Sequence, residues 1–249
     1  DEVPFEIPEG WKWCRLLDLC SLIGDIDHNM PKSVDKNHGV LFLSAKDLLD
    51  DGSINYIDNV KYISNEDYDR LSRKVKPQLG DIVYSRIGAC LGKARTVKSE
   101  VKFLVSYSCC IIRSIQIDVD YLRYYLESPI ILAHSVKARQ SIGVPDLGMG
   151  EIKKYFIALP PLAEQKRIVA KIEELLLLVD RYAVAYEKLE QFNAKFPEDM
   201  KKSILQYAIQ GKLVEQRPEE GTAEELFARI QEEKQRLIAE KKIKKEKPL

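Results

Sequence analysis

The stretch LPPLAEQKRI, residues 159–168, marks the point where the character of the sequence changes. Pro160 and Pro161 cannot extend a strand ladder, but proline is tolerated in the first turn of a helix, where its missing N–H would have no partner. Glu164 then falls in that first turn, where a carboxylate interacts favourably with the helix dipole. The stretch therefore predicts that a strand-containing domain ends here and that a long helix begins.

Apolar residues recur at every seventh position after this junction, and a second set follows four residues behind the first. This spacing is the a/d pattern of a coiled coil, whereas a helix packed on its own domain shows a wider stripe that drifts at period 3.6. On periodicity alone, the alternative of one long amphipathic helix packed on its own domain stays open. We call the residues of this pattern the seam: Ile168, Ile172, Leu175, Val179, Tyr182, Tyr186 and Leu189. We predict that another helix, from a second copy or from a later segment of the chain, packs on the seam.

Short apolar runs broken by turn residues fill residues 11–159, a pattern typical of a mixed α/β domain rich in strands. Strands are predicted at residues 40–43, 82–84 and 101–112, and a helix at residues 119–132. The fold class expected is α+β, with a mixed α/β domain over residues 1–159 followed by long coiled-coil-type helices over residues 160–249.

The region after the seam carries its own start and stop signals. Pro197 predicts a break in the long helix, because the residue before a proline is pushed out of helical geometry. A second helix is expected to follow and to end at Gly211, which suits a C-cap. Thr222 and Glu225 have the spacing of a capping box and predict the start of a third helix.

The composition favours a cytoplasmic protein that does not enter a membrane. The chain has 249 residues, a hydrophobic content of 45% and a formal net charge of zero. No apolar run approaches the roughly 20 residues that a membrane-spanning helix needs. The first residues, DEVP, have neither the basic nor the apolar region of a secretory signal peptide.

The five cysteines are expected to be reduced thiols rather than disulfides or metal ligands, since they are odd in number and lack CxxC spacing. The three histidines are too scattered to complete a metal site with them, so neither a metal nor another cofactor is predicted. An enzyme that uses Cys109 or Cys110 with a histidine is a further alternative. Both cysteines lie in the β-prone run, where cysteine is usually a core residue.

Positive charge is concentrated in residues 70–113, which contain ten basic residues and two acidic ones. A face that binds phosphates on an otherwise neutral protein needs such polarisation, because each neutralised phosphate releases counterions. The pattern favours a nucleic-acid partner. The alternative, a solvated surface without a ligand, stays open.

Four segments resemble, in order, the DNA-specificity subunit of type I restriction–modification systems. PPLAEQKRIV at residues 160–169, with the helix after it, is similar to the conserved helical region of that family. IPEGWKW at residues 7–13 resembles the entry of its target recognition domains, and LGDIVYSRIG at residues 79–88 a turn and strand within them. SILQYAIQGKL at residues 203–213 resembles the segment after the first conserved helix.

The resemblance implies a subunit that recognises double-stranded DNA and performs no chemistry. In this family methyltransferase (M) subunits modify adenine, and a restriction and motor (R) subunit hydrolyses ATP and cuts. The chain lacks a Walker-type glycine-rich loop and an Asn-Pro-Pro-Tyr methyltransferase signature, which agrees with that division. Family members usually carry two recognition domains, each with a helical region, whereas this chain has one of each and resembles a half-subunit.

A half-subunit suggests the hypothesis of a homodimer that pairs through the coiled-coil helices. We expect these helices to act as a spacer between recognition domains and to dock the M subunits. A two-fold dimer would recognise a palindromic bipartite site. The main alternative is a protein-binding adaptor without catalytic activity, in which the coiled coil is only a tether.

The candidate DNA-contacting residues are basic or polar and lie near predicted turns. For phosphate contacts we select three residues that flank the turn between Gly88 and Gly92: Arg86, Lys93 and Arg95. For contacts near the bases we select residues in predicted loops: Lys46, Lys137, Arg139, Gln140 and Ser141. The alternative for each residue is an ordinary surface or salt-bridged side chain.

Overall fold

The computed structural model describes residues 3–26, 28–137 and 146–244, and for Lys137 it describes the backbone only. The chain divides into two compact units, Asp1–Leu177 and Leu178–Leu249. The first unit holds all of the strands in the described chain, and the second is helical. The expected α+β class is confirmed.

Three sheets build the first unit. The largest has four strands in the order β2-β8-β5-β6, all antiparallel, and a three-stranded sheet has the order β4-β3-β7. β1 and β9 form a two-stranded antiparallel sheet. The strands are β1 (Lys12–Arg15), β2 (Cys20–Gly24), β3 (Val40–Leu43), β4 (Lys61–Ile63), β5 (Ile82–Ser85), β6 (Ala94–Thr96), β7 (Phe103–Val105), β8 (Cys109–Ser114) and β9 (Phe156–Leu159).

The helices of the first unit are short, whereas one long helix runs into the second unit. The short helices are α1 (Asn65–Leu71), α2 (Val119–Leu126), α3 (Pro129–Lys137) and α4 (Met149–Lys153). The long helix is α5 (Leu162–Ile209), and the second unit also contains α6 (Ala223–Ala239). None of the helices in the described chain is apolar enough over a sufficient length to cross a membrane.

The four-stranded sheet is buried on both faces. Ile82 and Tyr84 of β5 point into one core cluster with the helices α2 and α4, while Val83 between them points into another. β8 divides in the same way, with Cys110 on the first face and Cys109 on the second. Successive side chains of a strand point to opposite faces, so a strand covered on both sides shows a continuous apolar run rather than alternation.

The strands predicted at residues 40–43 and 82–84 are confirmed as β3 and β5. The run at residues 101–112 is not one strand, because the turn at residues 106–108 divides it between β7 and β8, which belong to different sheets. The helix predicted at residues 119–132 is likewise two helices. Pro129 is the first residue of α3, a position where proline loses no hydrogen bond.

The LGD turn before β5 is held together by one carboxylate. Gly80 has a φ of +84°, which lies in the left-handed region that favours glycine. Asp81 is buried, and its carboxylate accepts hydrogen bonds from both Nε and Nη2 of Arg113, each at 2.8 Å. It also accepts a hydrogen bond from the backbone N–H of Gln78 at 2.7 Å. Asp81 therefore fixes the turn before β5 to Arg113 of β8.

β1 and β9 lie side by side, with Lys12 opposite Leu159 and Arg15 opposite Phe156. Aromatic residues cover this pair, since Trp13 packs edge-on against Phe156 with ring centroids 6.0 Å apart. The segment that enters the first unit and the segment that leaves it are thus paired with each other.

The junction after β9 forms as expected, with Pro160 and Pro161 between the strand and α5, and Glu164 in the first helical turn. The next residue, Gln165, is the only buried residue in the described part of α5. Its Oε1 accepts from the backbone N–H of Asp118 at 2.9 Å, and its Nε2 donates to the Pro160 carbonyl at 2.8 Å. Gln165 thus fastens the start of α5 to the segment before α2.

The predicted break at Pro197 is wrong, because α5 continues through it from Leu162 to Ile209. Proline removes only one hydrogen bond of the helical ladder, the one that an N–H at this position would donate to the Asn193 carbonyl. The residues around it are exposed, so water can hydrate that carbonyl. The predicted end at Gly211 is confirmed: its φ is +67°, and Lys212 N donates to the Tyr207 carbonyl at 2.9 Å.

The capping box that begins the last helix is confirmed. Thr222 accepts a hydrogen bond from the backbone N–H of Glu225, and the Glu225 carboxylate accepts one from the backbone N–H of Thr222. Exchanging these two bonds satisfies N–H groups that the first turn of a helix leaves free.

The seam residues are largely uncovered within the chain. Ile168 and Ile172 are half-buried, and the exposed fraction then rises to 48% for Leu175 and 69% for Tyr182. Leu226 on the apolar face of α6 is also exposed. The seam is thus available to another helix, and a partner from a second copy or from a later segment of the chain stays a prediction.

Candidate nucleic-acid interface

Six strand ends meet at one edge of the first unit. Ser85 pairs with Cys109 and Tyr84 with Ala94, so β5 ends where β8 and β6 begin. β2 also ends here, since Gly24 pairs with Ile111. β3 and β7 run parallel and end together, and the turn from β7 to β8 joins their sheet to the larger one. We call this edge the loop end; it comprises the described residues of segments 25–28, 44–47, 86–93, 106–108 and 146–147.

Arg86 lies at the centre of the loop end and is buried, with 3% of its side chain exposed. Its Nη2 donates to Asp25 Oδ2 at 2.8 Å, and its Nη1 donates to Asp146 Oδ1 at 2.8 Å. The Leu147 carbonyl accepts a further bond from Nη1 at 3.3 Å. One guanidinium thereby joins the segment after β2 to the segment before α4.

The backbone of Arg86 extends the same network. Its N–H donates to the Ser108 carbonyl at 2.9 Å, and its carbonyl accepts from Leu147 N at 2.9 Å. The Ser108 hydroxyl accepts a hydrogen bond from Ala45 N at 3.2 Å, which ties in the segment after β3. Each loop of the loop end is therefore attached to a neighbouring loop by at least one hydrogen bond.

An aromatic pair lies on this network. The rings of His28 and Tyr107 stack with centroids 4.8 Å apart and an interplanar angle of 27°. His28 is exposed and Tyr107 half-buried, and His28 Nε2 lies 3.5 Å from Nη2 of Arg86. No motif marks either residue in the sequence, so neither was among the predicted site residues.

Two of the selected lysines lie at the loop end. Lys46 is exposed directly after β3, and its Nζ donates to the Asn59 carbonyl at 3.0 Å. Lys93 is 27% exposed and forms an ion pair with Asp50 at 2.6 Å. Their DNA contacts stay predictions, and Lys46 is the more exposed of the two residues.

Arg86 and Arg95 lie inside the unit rather than on its surface. Arg95 pairs with Glu127 of α2 and donates from Nε to the Leu49 carbonyl at 2.7 Å. It also lines, with Arg123, a cleft of about 460 Å³. A phosphate could reach either guanidinium only if its internal ion pairs opened, and that costs several kcal/mol.

The remaining selected residues cannot be placed fully. Lys137 is the last residue of α3, and Arg139, Gln140 and Ser141 lie outside the described residues. Their proposed contacts near the bases stay predictions.

The charge excess of residues 70–113 is largely offset by carboxylates from elsewhere in the fold. Six of its ten basic residues have an acidic partner within 4 Å, and only Asp81 among those partners lies in the segment itself. These six are Arg70, Lys74, Arg86, Lys93, Arg95 and Arg113. The polarisation seen in the sequence is thus weaker in three dimensions.

Cys109 and Cys110 lack the features of reactive thiols. All five are free; Cys109 and Cys110 are buried, and burial raises the pKa of Cys109 to about 12 and that of Cys110 further. A reactive cysteine needs the opposite, an exposed thiol with a lowered pKa. In the described chain no group of histidine, cysteine and acidic residues is arranged to hold a metal ion.

Both buried thiols are expected to stay unmodified in the folded protein. At pH 8 a thiol with a pKa of about 12, as for Cys109, is almost wholly protonated, and only the thiolate reacts. A coloured disulfide reagent should therefore label Cys109 and Cys110 only as fast as the protein unfolds, which mass spectrometry of timed samples measures. Fast labelling of either residue under native conditions would contradict this and would reopen the thiol-enzyme alternative.

Known proteins resemble the chain throughout. A sequence profile of the family described as "Type I restriction modification DNA specificity domain" matches residues 8–191. The specificity subunits of the type I restriction enzymes EcoAI and EcoEI from Escherichia coli are each 26% identical to it over 297 aligned positions. Each alignment covers 100% of this chain and 48% of the relative, so the chain spans about half the length of the curated relatives it matches.

The fold has solved counterparts as well. The crystal structure of the HsdS subunit from Thermoanaerobacter tengcongensis superposes with a TM-score of 0.55 and 20% identity, covering 82% of this chain and 49% of that one. A chain from a study of complex assembly and conformational transition of the type I R-M system gives a TM-score of 0.54 at 20% identity, covering 83% and 50%. At 20% identity these superpositions show a shared fold and no more.

Proposed function

Because this chain belongs to the type I restriction–modification DNA specificity domain family, we propose that it recognises a double-stranded DNA sequence and performs no chemistry itself. The family match over residues 8–191 is the observation that carries the proposal. The loop end supports it, since loops from six strand ends placed side by side on a rigid sheet suit the reading of base edges.

We assign the two roles to two parts of the chain. Residues 1–159 form the target recognition domain, and residues 160–249 form the helical region that acts as a spacer. The change from strand to long helix at Pro160 and Pro161 supports a boundary at this point. M subunits are proposed to dock on the helical region and to modify the DNA, and an R subunit is proposed to cut it.

The seam supports a homodimer as the assembled form. A row of apolar side chains that is about half exposed in the single chain favours burial against a like helix, because apolar burial stabilises by roughly 25 cal/mol per Å². Two copies would place two recognition domains around a two-fold axis. The site that such a dimer reads is palindromic and bipartite.

A selection experiment tests the proposal. The chain is combined with the M subunit of its own system and offered a library of randomised DNA duplexes over a range of salt concentrations. We expect one bipartite sequence to be enriched, with two related halves if the chain pairs with itself. No enrichment at any salt concentration would contradict DNA recognition and favour the adaptor alternative.

A further inference from the structure

We propose that His28 is a specificity-determining residue that contacts a DNA base edge, and that Tyr107 and the buried Arg86 position its imidazole ring. The inference rests on the proposed DNA recognition and names residues that carry it. It also gives Arg86 a different role from the phosphate contact that its sequence context predicts.

The placement of His28 is the first observation. It follows β2 at the loop end, in the edge where the strand ends converge, and its side chain is exposed. An exposed histidine in a loop normally samples several rotamers and loses entropy when it binds. Here the stack on Tyr107 holds the imidazole ring, so less conformational entropy is lost when the ring contacts a ligand.

Tyr107 is itself fixed by the turn between β7 and β8. Ser106 N donates to the Leu43 carbonyl at 2.7 Å, and Cys109 N donates to the Ser106 carbonyl at 3.0 Å. The hydroxyls of Ser106 and Ser108, on either side of Tyr107, lie 2.7 Å apart. The turn that carries Tyr107 is therefore held by hydrogen bonds to the neighbouring strand.

Arg86 also lies beside the imidazole of His28. A guanidinium only donates hydrogen bonds, so His28 Nε2, 3.5 Å from Arg86 Nη2, can interact favourably only as an acceptor. In the tautomer that accepts from Arg86, the Nδ1–H group is the donor offered to a ligand. Purine N7 and guanine O6 in the major groove are acceptors that match it.

The carboxylates around Arg86 explain why its guanidinium does not bind a DNA phosphate directly. Asp25 and Asp146 each accept from one terminal nitrogen at 2.8 Å, and the guanidinium is 3% exposed. A phosphate would have to displace both carboxylates. The guanidinium bridges Asp25 and Asp146, and this bridge fixes the segments that carry His28 and Asp146 relative to β5.

Affinity measurements on two duplexes test the inference. The probes are the duplex enriched by the selection and a duplex of the same composition in scrambled order, each titrated over a salt series. We expect His28→Ala to lower the ratio of the two affinities by roughly 5- to 150-fold, the range for loss of one base contact. The slope of affinity against salt should stay unchanged, because no phosphate contact is lost.

His38→Ala is the matched control. His38 is also exposed, but it lies in the turn at Lys36–His38, at the other end of β3 from the loop end. We expect the affinity ratio of this variant to equal that of the parent chain. Equal ratios for His28→Ala and the parent would overturn the inference, as would a fall in the His38→Ala ratio as large as that of His28→Ala.

Arg86→Lys separates the two roles of Arg86. Lysine keeps the positive charge, and so it would serve a phosphate contact, but it cannot bridge two carboxylates as a planar fork does. We expect a lower affinity ratio with an unchanged salt slope, measured on protein whose circular dichroism and thermal unfolding show that it is folded. An unchanged ratio in the folded variant would overturn the positioning role. A parent chain without sequence preference would instead overturn the proposed function, and with it this inference.

Discussion

Replacing Asp81 with alanine is expected to lower the free energy of unfolding by about 3 kcal/mol, because it leaves the Arg113 guanidinium without its partner. The carboxylate is 2% exposed and accepts two hydrogen bonds from Arg113 and one from Gln78 N. Its hydrogen bonds raise the pKa of Arg113 above the ordinary value. Breaking a buried pair costs about 3–5 kcal/mol, and we expect the lower end because Arg113 is 29% exposed and can hydrate.

Urea denaturation of the parent and the variant measures this difference. Asp18→Ala is the matched control, since Asp18 is exposed, and surface substitutions usually change stability by less than about 0.5 kcal/mol. The double variant Asp81→Ala, Arg113→Met should lose less than the sum of the two single variants, because it leaves no unpaired charge. Additive losses would show that the pair contributes nothing as a pair.

The second large effect is expected on self-association. In the proposed homodimer, Leu175→Asp combined with Val179→Asp buries four carboxylates on the seam, since each copy contributes two. Each costs several kcal/mol when desolvated without a partner, so we expect the dissociation constant to rise by more than about 1000-fold. In the single chain Leu175 is 48% exposed and Val179 59%, so the substitutions remove little packing within it.

Sedimentation equilibrium at micromolar concentrations separates the outcomes. Arg181→Asp serves as the control, because it changes charge on the polar side of α5, away from the heptad positions of the seam. We expect the parent and this control to be dimeric and the double variant monomeric. A parent chain that is monomeric throughout would rule out the homodimer, and the seam would then require a partner of a different kind.

Local signals predicted the fold well where the deciding contacts are close in sequence. The prolines before α5, the glycine after it and the capping box before α6 all act within a few residues. Pro197 shows the limit of such signals. A proline weakens a helix by a roughly fixed amount, and whether the helix ends depends on the rest of its length, which the local pattern does not contain.

The candidate site was harder to predict because its contacts are distant in sequence. Arg86 and Arg95 are basic residues beside a glycine turn. Nothing nearby in the sequence reveals that Arg86 pairs with Asp25, 61 positions away, or that Arg95 pairs with Glu127, 32 positions away. His28 and Tyr107 have no motif, and only the pairing of β2 with β8, the strand after Tyr107, brings them together. Residue types could suggest a DNA-binding surface, but the topology decides which side chains lie on it.

The pairing of β1 with β9 has a consequence for how the proposed recognition domain could be exchanged for another. Lys12 and Leu159 stand opposite each other, so the polypeptide enters and leaves the domain through one narrow clasp of two strands. In the proposed function, every residue that contacts DNA lies between the two strands of this clasp. A different insert with the same clasp could replace it without altering the path of the chain on either side, and the target sequence would change while the scaffold stayed the same.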